Sequence, residues 1–496
     1  MSAPLFTLAL LGALPPTPEP EVEVHALIVA HNRSTDGSLA PLRYADDDGA
    51  RWFEVLSLSA RKVRLLSVLD AETQARHPEA AEVALAPTAA ELERALEATF
   101  ADIAVSRREG RRTAFFFVYV GHGSVDAEGM GSMHLVDRTL TRSDLFTRVI
   151  GPSPATVNHL VVDACHAYLM VAKRGGEDLE ARIDRALSGF LAREDLASYP
   201  NTGVLLSTSS SKEVHEWSRY EAGIFSHEVR SALAGAADVN RDGRVTYREV
   251  EAFVAAANAE VKVPSARLEV FARPPAIHLE EPLFDRGRAD LGRTLVVPGS
   301  LSGRWWVEDG RGVRYADFHT APGEGIELTL VPRPIYFLRN GSEEIRLPSA
   351  PRADASRLTR RPRALTRRGG EARALERGLF AVPFGQAWFQ GYVTRPQAVR
   401  PEPTPVWARA ERPEEGWGAR EITAASLFGG AVAAGIASAV LLLESDATAR
   451  SYRGAVGTDD DLDELRSRAE DQATAGRIAG GVAGALLGAG LLTLTF

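Results

Sequence analysis

One histidine and one cysteine have the residue types of a base and a nucleophile, and each follows an apolar segment. His122 stands between two glycines, after the run TAFFFVYV at 113–120. Cys165, the single cysteine of the chain, comes directly after the run LVVDA at 160–164. A thiol beside an imidazole is an activated nucleophile, because the base takes its proton and the thiolate is the reactive form. A buried cysteine by itself is more often a small core residue. A catalytic role therefore depends on whether the fold brings Cys165 close to His122.

Both runs are typical of buried strands in a parallel sheet. Reactive groups of open α/β sheets gather outside the carboxyl ends of the strands, so neighbouring strands would bring His122 and Cys165 together. Strand and helix patterns alternate along this half of the chain, which predicts an α/β fold with a mostly parallel sheet flanked by helices. The further predicted elements are strands at 22–30, 62–69 and 203–207 and helices at 45–58, 89–107 and 224–233.

The segments YVGHG (119–123) and VVDACH (161–166) resemble the catalytic signature of caspase-like cysteine peptidases, the caspase and metacaspase group. The resemblance covers about residues 22–265 and implies a caspase-like fold that hydrolyses peptide bonds. It implies Cys165 as the nucleophile, His122 as general base and then general acid, and the backbone N–H groups of Gly123 and Cys165 as oxyanion donors. The family usually continues Cys-His-Ser-Gly, whereas this chain continues Cys-His-Ala-Tyr.

Two acidic residues are candidates for the substrate pocket. Asp163 lies two residues before Cys165, and strand alternation would put both on one face. Asp48 lies at the start of the first predicted helix. By resemblance to the metacaspase branch, these acids line the pocket and favour Arg or Lys before the scissile bond, whereas caspases use basic residues there and prefer Asp. The alternatives are that Asp48 stabilises the helix N-terminus and that Asp163 only orients the nucleophile loop.

A twelve-residue segment at 238–249 matches the calcium-binding loop of an EF-hand. Carboxylate, amide and hydroxyl oxygens are ligands that suit Ca²⁺, and helical patterns lie on both sides of the segment. We therefore predict a Ca²⁺ site and no organic cofactor; a metal-free turn of the same shape is the alternative. The predicted ligands are Asp238, Asn240, Asp242, the carbonyl of Arg244, Thr246 and Glu249, with Gly243 at the sharp turn.

Composition limits the partners. A net charge of −9 argues against nucleic acid, and a single cysteine excludes an intrachain disulfide framework. Beyond the peptidase-like domain at 21–283, short apolar runs separated by Asp-Gly and Asn-Gly turns predict a small β-sandwich-like domain at 284–350. Residues 351–420 are rich in arginine and proline and are predicted to be a linker.

The chain has three apolar segments outside these domains. Residues 1–20 are predicted to be a signal peptide, with a disordered apolar leader as the alternative. Residues 422–443 and 478–496 carry no charge and have small residues at four-residue spacing, which predicts two transmembrane helices forming a hairpin. A soluble Gly/Ala-rich hairpin is the alternative.

Together these features predict a membrane-anchored, caspase-like cysteine endopeptidase that acts on protein or peptide substrates. We predict attachment to a bacterial inner membrane with the catalytic domain exported; an orientation facing the cytoplasm stays open. The alternative function is a catalytically silent scaffold or calcium-binding interaction protein at the membrane. The presence of both His122 and Cys165 favours the enzyme.

Overall fold

The computed structural model describes residues 22–35, 37, 39–125, 131–164, 198–209, 216–262, 268–289, 292–363, 372–394, 434, 437–439, 441–448 and 459–495. The chain divides into two compact units, Met1–Glu402 and Pro403–Phe496. Each unit is described by itself below. Cys165, the segment 1–20 and most of 422–443 lie outside the described residues.

The first unit is built from the following elements. The strands are β1 Val22–His31, β2 Ala60–Ser67, β3 Arg112–Gly121, β4 Gly123–Val125, β5 Gly131–His134, β6 Thr139–Thr141, β7 Val157–Ala164, β8 Thr202–Ser209, β9 Glu216–Trp217, β10 Ala222–Gly223, β11 Arg244–Thr246, β12 Leu268–Arg273, β13 Pro282–Asp285, β14 Arg293–Val297, β15 Gly303–Asp309, β16 Arg314–Thr320, β17 Ile326–Leu330, β18 Tyr336–Arg339, β19 Glu343–Leu347, β20 Arg352–Asp354 and β21 Arg360–Pro362. The α-helices are α1 Ala45–Leu56, α2 Ala71–Arg76, α3 Pro78–Val83, α4 Ala89–Arg108, α5 Arg142–Asp144, α6 Ile224–Ser231, α7 Tyr247–Asn258, α8 Ala372–Gly378 and α9 Gln386–Val393; α5 and α6 run on as the π-helices Leu145–Ile150 and Ala232–Ala236.

A six-stranded sheet in the order β12-β8-β7-β3-β1-β2 forms the centre of the unit. The pairs β1/β2, β1/β3, β3/β7 and β7/β8 are parallel, and β12 is antiparallel to β8 at the edge. Strands β1 and β3 are buried along almost their whole length. Phe116 and Val118 enter one apolar cluster, and Phe115 and Phe117 enter another, so both faces of the sheet are covered. The predicted α/β class with a mostly parallel sheet is confirmed, and the two-sided cover explains the unbroken apolar runs.

The part that follows is all-β and contains two antiparallel-rich sheets, β17-β14-β20 and β16-β15-β18-β19-β21, which we call the β domain. Leu295 and Leu328 from the first sheet and Trp305, Phe318 and Leu338 from the second belong to one hydrophobic cluster. The two sheets therefore share a core, and this core continues into the cluster that contains Phe116 of the central sheet.

The β domain extends beyond the boundary that composition suggested. Residues 352–354 and 360–362, inside the segment predicted to be a linker, are strands β20 and β21. Helices α8 and α9 follow, and Leu379, Phe380 and Phe384 near them are buried. These apolar residues pack onto the core. The high charge of the segment favoured a linker in the sequence-based prediction, although the segment contains core residues.

The second unit contains the helix α10, Asp459–Thr495. Gly476 and Gly480 lie against Leu442 and Ser438, and the Ser438 hydroxyl donates to the Gly476 carbonyl at 2.8 Å. The small residues thus allow two helical stretches to approach closely. In the part of the chain that the structure describes, no helix is both long enough and apolar enough for a membrane span.

Candidate active site

His122 lies at the carboxyl end of β3, directly after Gly121. Its side chain is buried, and its Nε2 atom has no hydrogen-bond partner among the described residues. Burial lowers the pKa of His122, while hydrogen bonds to the backbone of Asn32 and Ala40 oppose this effect. A neutral imidazole held through the backbone, with one nitrogen open, has the protonation state of a general base.

The end of β7 lies beside the end of β3. The two strands are parallel, and Gly121 pairs with Ala164. His122 and Cys165 are the residues that follow these two in the sequence; Cys165 itself is outside the described residues. Gly123, the predicted oxyanion residue, begins β4 and pairs with Met133 of β5.

A polar network surrounds His122 and was not predicted from sequence. The His134 ring lies 6.5 Å from the His122 ring, centroid to centroid. His134 Nδ1 lies within hydrogen-bonding distance of the hydroxyls of Ser34 (3.0 Å) and Thr35 (2.8 Å), and its Nε2 within 2.7 Å of the Ser124 hydroxyl. His134 thereby joins the loop after β1 to β4, the two segments next to His122. No sequence spacing marks this role, because Ser34 and Thr35 lie about a hundred residues before His134 along the chain.

The two predicted pocket acids come together around one glycine. A Cβ atom on Gly223 would lie 3.0 Å from an oxygen of Asp163 and 3.2 Å from an oxygen of Asp48. Gly223 donates its N–H to Asp48 at 2.7 Å, and Ser226 donates its N–H (3.1 Å) and hydroxyl (2.5 Å) to Asp163. We call Asp48, Asp163, Gly223, Ser226 and the neighbouring Arg230 the acid pocket.

The two acids differ in charge balance and exposure. Asp48 is fully enclosed and forms an ion pair with Arg230 at 2.7 Å; Arg230 is itself almost completely buried. The side chain of Asp163 is only partly buried. Among the described residues, no cation forms an ion pair with it. Loss of hydration, and after it the nearby Asp48 charge, raises the pKa of Asp163 to about 7. Of the two acids, Asp48 is therefore the one with an ion-pair partner among the described residues.

Arg230 escaped prediction because it is one of many arginines in the chain, and its partner lies far away in sequence. Its pairing with Asp48 joins α6 to α1 across more than 180 residues of sequence. Asp48 lies in the first turn of α1, as the alternative of a helix N-terminal charge requires, but its charge is also paired with that of Arg230. Trp217 of β9 is 5% exposed and packs edge-on against Tyr220.

The loop at 238–249 has the turn geometry of the predicted calcium loop. Gly243 has a φ of +82°, which favours glycine, and its N–H donates to Asp238 at 3.0 Å. The Asp242 carboxylate accepts from the N–H of Arg244 at 2.8 Å, and the Asn240 side chain accepts from the N–H of Asp242 at 3.1 Å. Side-chain oxygens thus organise the turn from within.

Three further contacts bear on whether this loop fits a metal ion. Glu249 accepts from the N–H and hydroxyl of Thr246 and closes a capping box at the start of α7. Arg286 lies 2.7 Å from one oxygen of Asp238, while the other oxygen is buried and without a hydrogen-bond partner among the described residues. Within the described ranges, no three His, Cys, Asp or Glu side chains are gathered to hold a metal ion. The types of donor atom in this loop fit Ca²⁺. In the structure, however, Glu249 binds Thr246 and Asp238 binds Arg286, so these carboxylates have partners within the protein.

A scan against protein-family models gave no match, and neither did a search of curated proteins. Among solved structures, caspase-1 from Spodoptera frugiperda is similar to 54% of this chain and 96% of its own length, at 13% identity and a TM-score of 0.33. The structure of pro-sf-caspase-1 matches at 11% identity over 52% of this chain and 92% of its own, with a TM-score of 0.32. A Geobacter sulfurreducens protein matches at 14% identity over 53% and 99%, with a TM-score of 0.30.

Proposed function

We propose that this chain is a cysteine endopeptidase in which His122 and Cys165 hydrolyse peptide bonds. The observation that supports this most is the register of β3 and β7, in which Gly121 pairs with Ala164. The next residues along the chain are the base and the thiol, so both follow the same edge of a parallel sheet. The second support is that the buried Nε2 of His122 has no hydrogen-bond partner among the described residues, because such a nitrogen is costly unless a partner binds there.

The proposed reaction has two halves. His122 takes the proton of the Cys165 thiol, and the thiolate attacks the peptide carbonyl carbon. The negative charge on the carbonyl oxygen is stabilised by the backbone N–H groups of Gly123 and Cys165. The C–N bond then breaks as the His122 imidazolium protonates the leaving amine. Water, deprotonated by His122, hydrolyses the thioester and returns the thiol.

For the substrate we propose Arg or Lys before the scissile bond. Asp48 and Arg230 cancel each other, so the remaining charge of the acid pocket is that of Asp163. Entry of a guanidinium or ammonium group beside Asp163 would supply the cation that this carboxylate lacks, whereas an entering Asp would add a second unpaired anion. The acid pocket thus supports selectivity for basic residues through Asp163, with Asp48 as a structural partner.

The test is labelling with an electrophilic peptide probe that ends in Arg. We expect the wild-type chain to be labelled and both Cys165→Ala and His122→Ala to lose labelling. His278→Ala, which removes a largely exposed histidine paired with Glu281, is the matched control and should label normally. A folded wild-type chain that is never labelled, with or without Ca²⁺, would instead support the caspase-like scaffold.

We also propose that the loop at 238–249 binds Ca²⁺ through the six predicted ligands. The support is the donor set, the turn at Gly243 and the unpartnered buried oxygen of Asp238. Arg286 pairs with the other oxygen of the same carboxylate, so the ion and the guanidinium compete for the charge of Asp238. Calorimetry with Ca²⁺ on the full chain tests this, and equal binding by Glu249→Gln would contradict it.

Finally, we propose attachment to a membrane through the segments 422–443 and 478–496. The support is the absence of charge in both segments and the close helix contact at Gly476 and Gly480. We expect the full chain to sediment with membranes, to resist carbonate extraction and to be released by deletion of 421–496. Recovery of the full chain in the soluble fraction would contradict this proposal.

A further inference from the structure

Helix α6 carries the acid pocket on one side and contacts the β domain on another. Ser226 and Arg230, four residues apart, bind Asp163 and Asp48. His227 and Ser231, also four residues apart, lie on the neighbouring face of the helix. Both of these side chains bind Asp317 of β16. A single turn of α6 therefore connects Asp48 and Asp163 to the β domain.

The contact with the β domain is a buried polar cluster. His227 Nε2 lies 2.8 Å from a carboxylate oxygen of Asp317, and both side chains are completely buried. A carboxylate can only accept, so Nε2 of the ring carries the proton. The Asp317 N–H donates to the Ser231 hydroxyl at 3.1 Å, and Arg314 forms a two-pronged ion pair with the Asp317 carboxylate.

The same cluster holds the turn that enters α6. The Tyr220 ring stacks on His227 with a centroid distance of 3.9 Å. The Arg314 guanidinium lies 5.1 Å from the centre of the Tyr220 ring and 4.4 Å from that of Trp306 in the β domain. Three residues after Tyr220, the N–H of Gly223 donates to Asp48. The turn and the helix are therefore both fastened to β16.

We propose that Asp317 and Arg314 of the β domain are positioning residues for the acid pocket, holding α6 and the turn before it so that Gly223, Ser226 and Arg230 meet Asp48 and Asp163. This rests on the proposed peptidase function. It assigns to the β domain a part in choosing the substrate residue before the scissile bond. In this arrangement the peptidase-like domain alone, residues 21–283, has an incomplete pocket.

The test uses the full chain with the double substitution Arg314→Met and Asp317→Leu, which removes both charges together and leaves no buried ion unpaired. We expect kcat/KM for a peptide ending in Arg to fall at least tenfold, mostly through KM, with a smaller change for a peptide ending in Ala. Alkylation of Cys165 by iodoacetamide needs no pocket and should keep its rate. The control Arg360→Met with Glu343→Gln removes a partly exposed ion pair between β21 and β19 of the β domain and should change none of these values.

His227→Gln is the second variant, in case the double substitution fails to fold, and should raise KM for the Arg peptide at least threefold. Amide hydrogen exchange over 217–231 gives a readout that needs no activity; it should quicken in both variants and stay unchanged in the control. A folded variant with unchanged KM, unchanged Arg-over-Ala preference and unchanged exchange overturns the inference. An inactive, unlabelled wild type rejects the peptidase instead, and the exchange data then decide whether the β domain positions α6.

Discussion

The acid pocket and the loop at 238–249 each contain a buried carboxylate that pairs with an arginine distant in sequence. In the acid pocket Arg230, 2% exposed, pairs with Asp48. In the loop Arg286, 21% exposed, pairs with Asp238 and is shared with Glu327 of the β domain. A fully buried cation cannot leave without exposing an unpaired charge, whereas a partly hydrated one can exchange its partner. The difference in burial of the two arginines thus distinguishes the two sites. Arg230 forms a fixed ion pair with Asp48, whereas Arg286 can be replaced at Asp238 by another cation.

The largest expected effect is on stability. Asp48→Asn should lower the free energy of unfolding by about 3–5 kcal/mol, because it leaves Arg230 buried without its partner. Asp238→Asn should cost no more than about 1 kcal/mol, because Arg286 keeps Glu327 and access to water. Urea unfolding of the two variants measures the difference. Equal losses would show that the exposure of the arginine does not govern the strength of these pairs.

Asp163→Asn should affect the substrate rather than the fold. The amide still accepts from Ser226, so stability should change little, while the charge for a basic side chain is lost. A hydrogen bond to a charged group contributes about 1.5–3 kcal/mol, so kcat/KM for an Arg peptide should fall by about 10- to 100-fold. The Ala peptide is the control substrate. An unchanged ratio between the two peptides would remove Asp163 from the pocket.

The same residue predicts a pH dependence. The pKa of Asp163 is raised to about 7, so its carboxylate is mostly neutral below that value and gains charge as the pH rises. The ratio of kcat/KM between Arg and Ala peptides should therefore increase by about tenfold from pH 6 to 8. Taking the ratio cancels the ionisation of His122 and Cys165, which both substrates share. A ratio that falls with pH, or a step that persists in Asp163→Asn, would contradict this assignment.

The smallest effect is expected at the loop. Arg286→Met removes the guanidinium that competes for Asp238, so Ca²⁺ should bind roughly tenfold more tightly than to the wild-type chain. Arg352→Met removes the other arginine on Glu327 without touching Asp238 and is the matched control. Calorimetry on both variants measures the change. Ca²⁺ affinity that is the same with and without Arg286 would show that the two cations do not compete.

Much of the central sheet was predictable because its signals are local. The runs at 113–120 and 160–164 are apolar except at Thr113 and Asp163, and they lie within the strands β3 and β7. Thr88 accepts from the N–H of Glu91 at the start of α4, as expected of a helix cap. The turn at Gly243 follows from the spacing of its loop. Each of these depends on residues within a dozen positions of one another.

The boundaries after the sheet were harder to predict. Arginine-rich residues beyond 350 have the composition of a linker, but β20 pairs with the distant strand β14 and β21 pairs with β19, so both join the β domain. The two membrane segments and the Ca²⁺ site stay predictions. Their decisive properties, a lipid environment and a gathered set of ligands, are not local patterns.

The sequence by itself determined which residue types follow which strands: a histidine after β3, a cysteine after β7 and an aspartate two residues before it. Only the tertiary structure decided which charged groups form ion pairs. These pairs are Arg230 with Asp48, Arg286 with Asp238 and Arg314 with Asp317. The chain carries 57 Lys and Arg against 66 Asp and Glu, so charge alone allows almost any pairing. Packing selects among them, because only an arginine brought within about 4 Å of a buried carboxylate repays the loss of hydration.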